Sequence, residues 1–212
     1  MKKEKKKEKK KVLIGYYTKS VVLTYLSVIS AIVGMYIALI ENETKCALLL
    51  LIISGLCDAF DGKVARACKR TEQEKQFGVE LDSLADLIAF IIFPIIIFYS
   101  LGLHSIINII IFILFALGGV IRLAYFNTIA DQNAPVKYYS GLPVTSTAII
   151  FPIFYLLTML LTTNAFNTLY TIVMLITSIL FVLNFKIRKP QTKELIIFLI
   201  GGLILGTILI FL

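Results

Sequence analysis

From Ser20 onward the chain is a succession of apolar runs of about 20 residues joined by short polar links. Runs near 20–40, 46–67, 77–101, 104–126, 142–163, 166–185 and 194–212 each have the length a helix needs to cross roughly 30 Å of hydrocarbon. No water reaches backbone groups in that layer, so a spanning segment must close its hydrogen bonds internally, as a helix does. The composition agrees: 58% of the 212 residues are hydrophobic, 16% are charged, and the mean hydropathy is +0.90. These values exclude an ordinary soluble domain and predict an all-α integral membrane protein of seven spans. Short links make neighbouring spans antiparallel and the whole a compact helical bundle of one domain. No internal repeat is visible at the periods of about 20 to 50 residues that mark solenoids and propellers.

The net charge of +8 does not call for nucleic acid, because the cations sit at the ends of apolar runs and in the opening "MKKEKKKEKKK". That opening is too charged to pack and reads as a solvated tail near anionic lipid headgroups. The run after it is long enough to span and ends in no small-residue cleavage site, so it stays attached as the first span. The links alternate in charge. Basic ones are the tail, the link with Lys63, Arg66, Lys69, Arg70 and Lys75, the link with Lys137 beside Asp131, and "KIRKPQTKE" with Lys186, Arg188, Lys189 and Lys193. "ENETK", "LGLHS" and "LTTNAF" carry no such excess. All basic links fall on one side, which predicts a multi-pass protein of the cell membrane with its N-terminus cytoplasmic and its C-terminus outside.

Cys46, Cys57 and Cys68 show no C-x-x-C spacing and read as small buried hydrophobes. His104, the single histidine, lies in a link with no metal-ligand or nucleophile spacing near it. The last run carries Gly201, Gly202 and Gly206, which fits a close-packing or dimer helix.

The costly residues are Asp58, Asp61, Asp82 and Asp86. A charge at the bilayer centre costs roughly 2.5–3.5 kcal/mol on insertion scales, so these acids require cations or protons. At about 1.5 Å of rise per residue, Asp58 lies roughly 12 Å and Asp61 about 8 Å from the cytoplasmic boundary of the second span. The third span returns with Asp82 roughly 8 Å and Asp86 about 14 Å deep. Antiparallel packing thus brings the pairs to matching height. Asp58 and Asp61 are three residues apart, and Gly78, Asp82 and Asp86 are spaced by four, so each set shares a helix face. Gly62 and Ala65 lie on the stripe of the first pair and leave room for a ligand or a close helix.

Four carboxylates in one pocket repel unless they protonate or bind metal. All-oxygen ligation selects hard ions such as Mg²⁺, Mn²⁺ or Ca²⁺, and a pair of divalent ions can grip a diphosphate during phosphoryl transfer. Arg66, Lys63 and Lys75 either hold phosphate oxygens or mark helix ends. Pairing of the acids with basic residues to hold the bundle is the bland reading. A cation transporter or proton-coupled carrier is the reading from a different class, but neither paired broken helices nor an inverted repeat is visible.

Asp58-x-x-Asp61-Gly62-x-x-Ala65-Arg66, followed by Gly78-x-x-x-Asp82-x-x-x-Asp86, resembles the signature of the CDP-alcohol phosphatidyltransferase family. The resemblance covers roughly residues 15 to 185 and implies a dimer with a core of six spans, to which the seventh run is an addition. It divides the chain into a basic tail and juxtamembrane segment (1–19), a transferase domain (20–185), and a link with an additional helix (186–212). Eleven residues separate Arg66 from Gly78, where the family commonly has about eight, with the extra residues in the polar stretch "KRTEQEK".

The resemblance implies that Asp58, Asp61 and Asp82 bind two divalent cations, Mg²⁺ or Mn²⁺, and that Asp86 ligates one and acts as general base. Gly62, Ala65, Arg66 and Gly78 would frame the CDP moiety, with Lys75 a candidate contact before Gly78. Thr24 resembles a further nucleotide contact, although the Pro-Asn often found before it is missing. "FGVELDSLADLIAF", "RLAYFN" and "GLPVTSTA" resemble the phosphatidylserine synthase branch, which uses CDP-diacylglycerol and L-serine and releases CMP. Tyr125 stands where that branch often has a second arginine. Arg122 is then either the grip on the acceptor carboxylate, as a guanidinium suits, or a helix-end anchor, and Asn127 is a weaker acceptor contact. Sister transferases acting on glycerol phosphate or inositol phosphate share the signature. A histidine-dependent phospholipase-D-like route needs paired histidines and is excluded.

Overall fold

The computed structural model describes residues 14–129, 138–158, 161–188 and 191–211. The basic tail before Ile14, together with Asp131, Lys137 and Lys189 of the basic links, lies outside them.

A helix lies within each expected span, the one within 142–163 being shorter than a full span among the described residues. Helix α1 (Val22–Tyr36) is entered through a 3₁₀ turn at Lys19–Val21 and continued by a π turn at Ile37–Glu41. After Asn42 in the left-handed region (φ 55°), α2 (Thr44–Ala67) returns. Helix α3 (Glu72–Asp86) runs through a π segment, Leu87–Ile92, into α4 (Phe93–Ser100) as one rod. Then come α5 (Ile106–Ile129), a 3₁₀ turn at Val144–Ser146 leading into α6 (Thr147–Thr158), α7 (Thr163–Val182) and α8 (Thr192–Phe211). A ribbon of strands β1 (Tyr138–Ser140) and β2 (Lys186–Arg188) pairs antiparallel, with Tyr139 opposite Ile187. It joins the link after α5 to the link after α7, which fixes both at the basic end of the bundle. Among the described residues it is the one departure from an all-α fold.

Lys19–Glu41, Glu72–Ser100, Ile106–Ile129, Ala165–Val182 and Lys193–Phe211 are long and apolar enough to cross a membrane. Helix α2 has the length, at 24 residues, but carries Asp58, Asp61, Lys63 and Arg66 in its second half. It is also the centre of the bundle, packing on α1, α6 and α8, while α5 packs on α7.

The polar link expected between the second and third spans is shorter than the sequence implied. Thr71 opens α3 with a capping box: its hydroxyl accepts from the Glu74 amide (3.3 Å) and the Glu74 carboxylate accepts from the Thr71 amide (2.8 Å). Glu72 and Glu74 also place negative charge at the positive end of the helix. The stretch from Glu72 to Lys75 is therefore helix, and only Cys68–Thr71 remain as a link.

Hydroxyl groups register α1 against α2. Ser27 Oγ donates to the Ser54 carbonyl (3.3 Å), Ser54 Oγ donates back to the Ser27 carbonyl (2.9 Å), and Ser30 Oγ donates to the Leu50 carbonyl (2.9 Å). Small residues permit the close approach that such bonds need. Gly202 and Gly206 of α8 do the same against Ile52, Leu56 and Leu49 of α2, so the last span's glycine face packs within the chain.

Pro94 explains the π segment. It has no amide proton for the Phe90 carbonyl one turn earlier, and the ladder widens there. The Thr147 hydroxyl of α6 lies 3.2 Å from that carbonyl and 2.9 Å from the carbonyl of Val144, and shares its proton between them.

Gly34 of α1 lies against the tip of the Phe93 ring, and a Cβ there would overlap it. Gly34→Ala is expected to destabilise the purified protein by about 1–3 kcal/mol, the range for overpacking a filled site. Phe93→Leu in the same chain should recover part of the lost apparent melting temperature, which thermal unfolding in detergent measures.

Candidate active site

The start of α1 packs against both α2 and α3, and the rod that α3 begins meets α2 through its π segment and α4. Carboxylate oxygens of Asp58, Asp82 and Asp86, one from each, lie within 4.8 Å of one another. The fourth acid, Asp61, joins them, since its carboxyl contacts that of Asp82, so the matching heights expected from the helical rise are met. Asp61 is also held by α1: Thr24 Oγ1 donates to Asp61 Oδ2 at 3.0 Å, and the Gly62 amide bonds to its side chain. The Asp58 and Asp86 carboxyls are likewise in hydrogen-bond contact.

Adjacent carboxyls in an apolar bundle need a shared proton or a cation between them. The donor set here is all oxygen, convergent, and without Cys or His. It fits a hard divalent cation and does not fit a soft one.

The glycines of the signature lie beneath guanidinium groups. Arg66 folds back along α2, with Nη1 3.2 Å from where a Cβ of Gly62 would stand, and its charge reaches Asp61. Arg70 from the Cys68–Thr71 link lies over Gly78 of α3, with Nη1 3.7 Å from the corresponding Cβ position. Ala65 is half-buried near the end of α2, where its carbonyl accepts from the Cys68 amide (3.3 Å) and closes the helix. Lys75 is exposed and pairs with Glu72 at 2.7 Å, along the flank of α3. It is Arg70, singled out in the sequence only as a basic link residue, that overlies Gly78.

The candidate acceptor residues lie at the end of α5. Arg122 is buried, with Nε donating to the Leu142 carbonyl (3.1 Å) and its guanidinium 5.2 Å from the centre of the Phe126 ring. Asn127 exchanges hydrogen bonds with Ser83: the Ser83 hydroxyl lies 3.1 Å from Asn127 Oδ1 and accepts from Nδ2 at 2.9 Å. Since Ser83 follows Asp82 directly, Asn127 ties α5 to α3 beside its acidic face. Tyr125 is exposed.

A strap of residues precedes α1. Tyr16 OH donates to Gln73 Oε1 (3.1 Å), its ring meets Phe77 edge-on at 5.3 Å, and Tyr25 OH donates to the Tyr16 carbonyl (2.9 Å). Gly15 (φ +95°) lies beside Phe77. The strap therefore binds the first turns of α3 to the start of α1, on which Thr24 sits.

The family model for CDP-alcohol phosphatidyltransferase matches residues 18–203. The chain is 35% identical over 118 residues to an archaetidylserine synthase of Methanothermobacter thermautotrophicus, covering 55% of this chain and 49% of that protein. It is 38% identical over 103 residues to the CDP-diacylglycerol–serine O-phosphatidyltransferase of Saccharomyces cerevisiae, covering 45% of this chain and 36% of the relative. A protein of the same name from Mycobacterium tuberculosis is 29% identical over 132 residues, covering 60% of this chain and 45% of its own length. The chain thus spans less than half the length of these relatives.

Mn²⁺ added to the purified protein is expected to raise its melting temperature, by the equivalent of about 2.7 kcal/mol at a hundred times the dissociation constant. Asp58→Asn and Asp82→Asn should each remove most of that shift; thermal scans across a Mn²⁺ titration measure it.

Proposed function

Because the chain belongs to the CDP-alcohol phosphatidyltransferase family, we propose that it transfers the phosphatidyl group of CDP-diacylglycerol to L-serine, giving phosphatidylserine and CMP. The observation that carries this reading is the meeting of Asp58, Asp82 and Asp86 within 4.8 Å, on two helices that bear the whole family signature. The names of the relatives share serine as the alcohol, which favours it over glycerol phosphate or inositol phosphate.

Asp58, Asp61 and Asp82 hold two divalent cations, Mg²⁺ or Mn²⁺, with Asp86 as an additional ligand. When bound, the cations supply charge neutralisation for the diphosphate and for the departing CMP. CDP-diacylglycerol reaches the site sideways from the lipid, with its acyl chains still in the bilayer. Gly62, Ala65 and Gly78 leave the space for its headgroup, and Arg66 lies over that space as a bidentate donor to phosphate oxygens. Lys75 and Thr24 are the further contacts that the family pattern assigns to the CDP moiety. Arg122 grips the serine carboxylate and Asn127 borders the acceptor.

Asp86 takes the proton of the serine hydroxyl as its oxygen bonds to the phosphatidyl phosphorus. The phosphorus–oxygen bond to CMP breaks in line, and no covalent enzyme intermediate forms. The family pattern also supports a homodimer, and the charge pattern of the links supports a cell-membrane protein whose N-terminus and active site face the cytoplasm.

The deciding experiment feeds membranes that contain the protein CDP-diacylglycerol or its isoprenoid counterpart together with radiolabelled serine, glycerol phosphate or inositol phosphate. Label in a serine lipid, with stoichiometric CMP, is expected; label only with another alcohol overturns the choice of acceptor, and ion flux without lipid product favours a transporter. Asp86→Asn should lower turnover by at least about 100-fold, the scale of general-base catalysis, while CDP-diacylglycerol still binds. Arg122→Lys should raise the KM for serine by about tenfold with a smaller change in kcat, since ammonium loses the two-pronged grip. A parallel fall in melting temperature with unchanged KM would instead mark Arg122 as a helix anchor.

A further inference from the structure

We infer that Thr24 is a positioning residue: its hydroxyl fixes the Asp61 carboxylate in one orientation and so biases the acidic site towards small octahedral cations, Mg²⁺ or Mn²⁺, and against Ca²⁺. This rests on the reading of the four aspartates as a metal site and adds to it a role for α1 that ligation alone does not require.

The geometry is specific to Asp61. All four acids converge, Asp61 through its contact with Asp82, but Asp61 alone accepts the Thr24 hydroxyl, on Oδ2 at 3.0 Å, and its side chain also accepts from the Gly62 amide. Two donors on one carboxylate restrict its rotation about the Cβ–Cγ bond. Thr24 is only 5% exposed, so water does not compete for it. Nor can it follow a moving Asp61, because α1 is locked to α2 one turn deeper by the reciprocal Ser27 and Ser54 bonds and by Ser30.

The chemistry follows from how the ions are ligated. Mg²⁺ demands near-ideal octahedral geometry at about 2.0–2.1 Å and takes one oxygen per carboxylate. Ca²⁺ sits at about 2.3–2.6 Å with roughly six to eight ligands, commonly including a carboxylate that swings to offer both oxygens. With Oδ2 pinned towards α1, Asp61 can present Oδ1 without turning, but cannot turn to present the pair. Supporting hydrogen bonds of this kind typically change metal affinity by about 10–100-fold.

The test measures metal binding to the purified full chain without substrate. Free Mn²⁺ is followed by electron paramagnetic resonance, and Ca²⁺ is titrated in competition. Thr24→Val is expected to lower the preference for Mn²⁺ over Ca²⁺ by about tenfold, and Thr24→Ser to retain it. In an Asp61→Asn background Thr24→Val should produce no further change in the preference. Thr24→Ala serves alongside Val should the latter not give folded protein. Gly34→Ala, which destabilises the bundle at Phe93 and leaves the Thr24–Asp61 bond and the Ser27–Ser54 lock in place, should leave the preference unchanged. An unaltered preference in both Thr24→Val and Thr24→Ala overturns the inference, and so does an equal loss in Gly34→Ala. If the wild-type chain binds no Mn²⁺ while remaining folded, the metal reading itself fails and takes this inference with it. Normal metal preference in Thr24→Val with intact Mn²⁺ binding sinks the inference alone.

Discussion

Carboxylates from three different turns of two helices meet within 4.8 Å inside a bundle that is otherwise apolar, and this juxtaposition governs the rest of the molecule. Each charge placed there carries a desolvation cost that only cations, protons or donors can offset. The surrounding structure is arranged around that cost. Helix α1 brings a hydroxyl to Asp61, the Gly62 amide supplies a second donor, and Arg66 lies close enough for its charge to be felt. The turn between α2 and α3 is kept to four link residues, Cys68 to Thr71, by the capping box, which joins the two acid-bearing helices directly.

Much of the supporting hardware consists of side-chain hydroxyls and amides, whose roles are positional. Ser27, Ser30 and Ser54 set the height of α1, Ser83 and Asn127 bring α5 to α3, and Tyr16 and Tyr25 fasten the segment before α1 to α3. In hydrocarbon, where apolar contact between helices gains little over contact with lipid, such bonds and close packing of small residues carry much of the specificity. The proposed transfer chemistry would therefore depend on α1 and α5 as well as on the pair of helices that bears the acids.

The spans were legible because their signal is long and one-dimensional: about 20 apolar residues leave a chain in lipid almost no alternative to a helix. The acidic faces were legible from spacing alone, since residues three and four apart must share a side. Partners across helices were not. Nothing in the sequence pairs Thr24 with Asp61 or Ser83 with Asn127, whose separations are 37 and 44 residues. The first turn of α3 could have been found, because Thr71-x-x-Glu74 is the pattern of a capping box, but its high charge made it read as a link. The ribbon of β1 and β2 left no trace in periodicity, being three residues on each side. Arg70 over Gly78 depends on the path of a link that differs in length from the family pattern, and path is not encoded by spacing.

The break at Pro94 has a consequence for how changes in the upper half of the bundle are felt. By leaving the Phe90 carbonyl to the Thr147 hydroxyl, the rod that carries Asp82 and Asp86 has its vacant acceptor answered by a neighbour instead of by its own ladder. The phase of the acidic face is thereby set against α6, in the manner of a dowel between two beams. Restoring an amide at this point, ordinarily a gain for a helix, would let the rod wind regularly and change the phase of its two aspartates relative to α4. At this position a more perfect helix would make a poorer site.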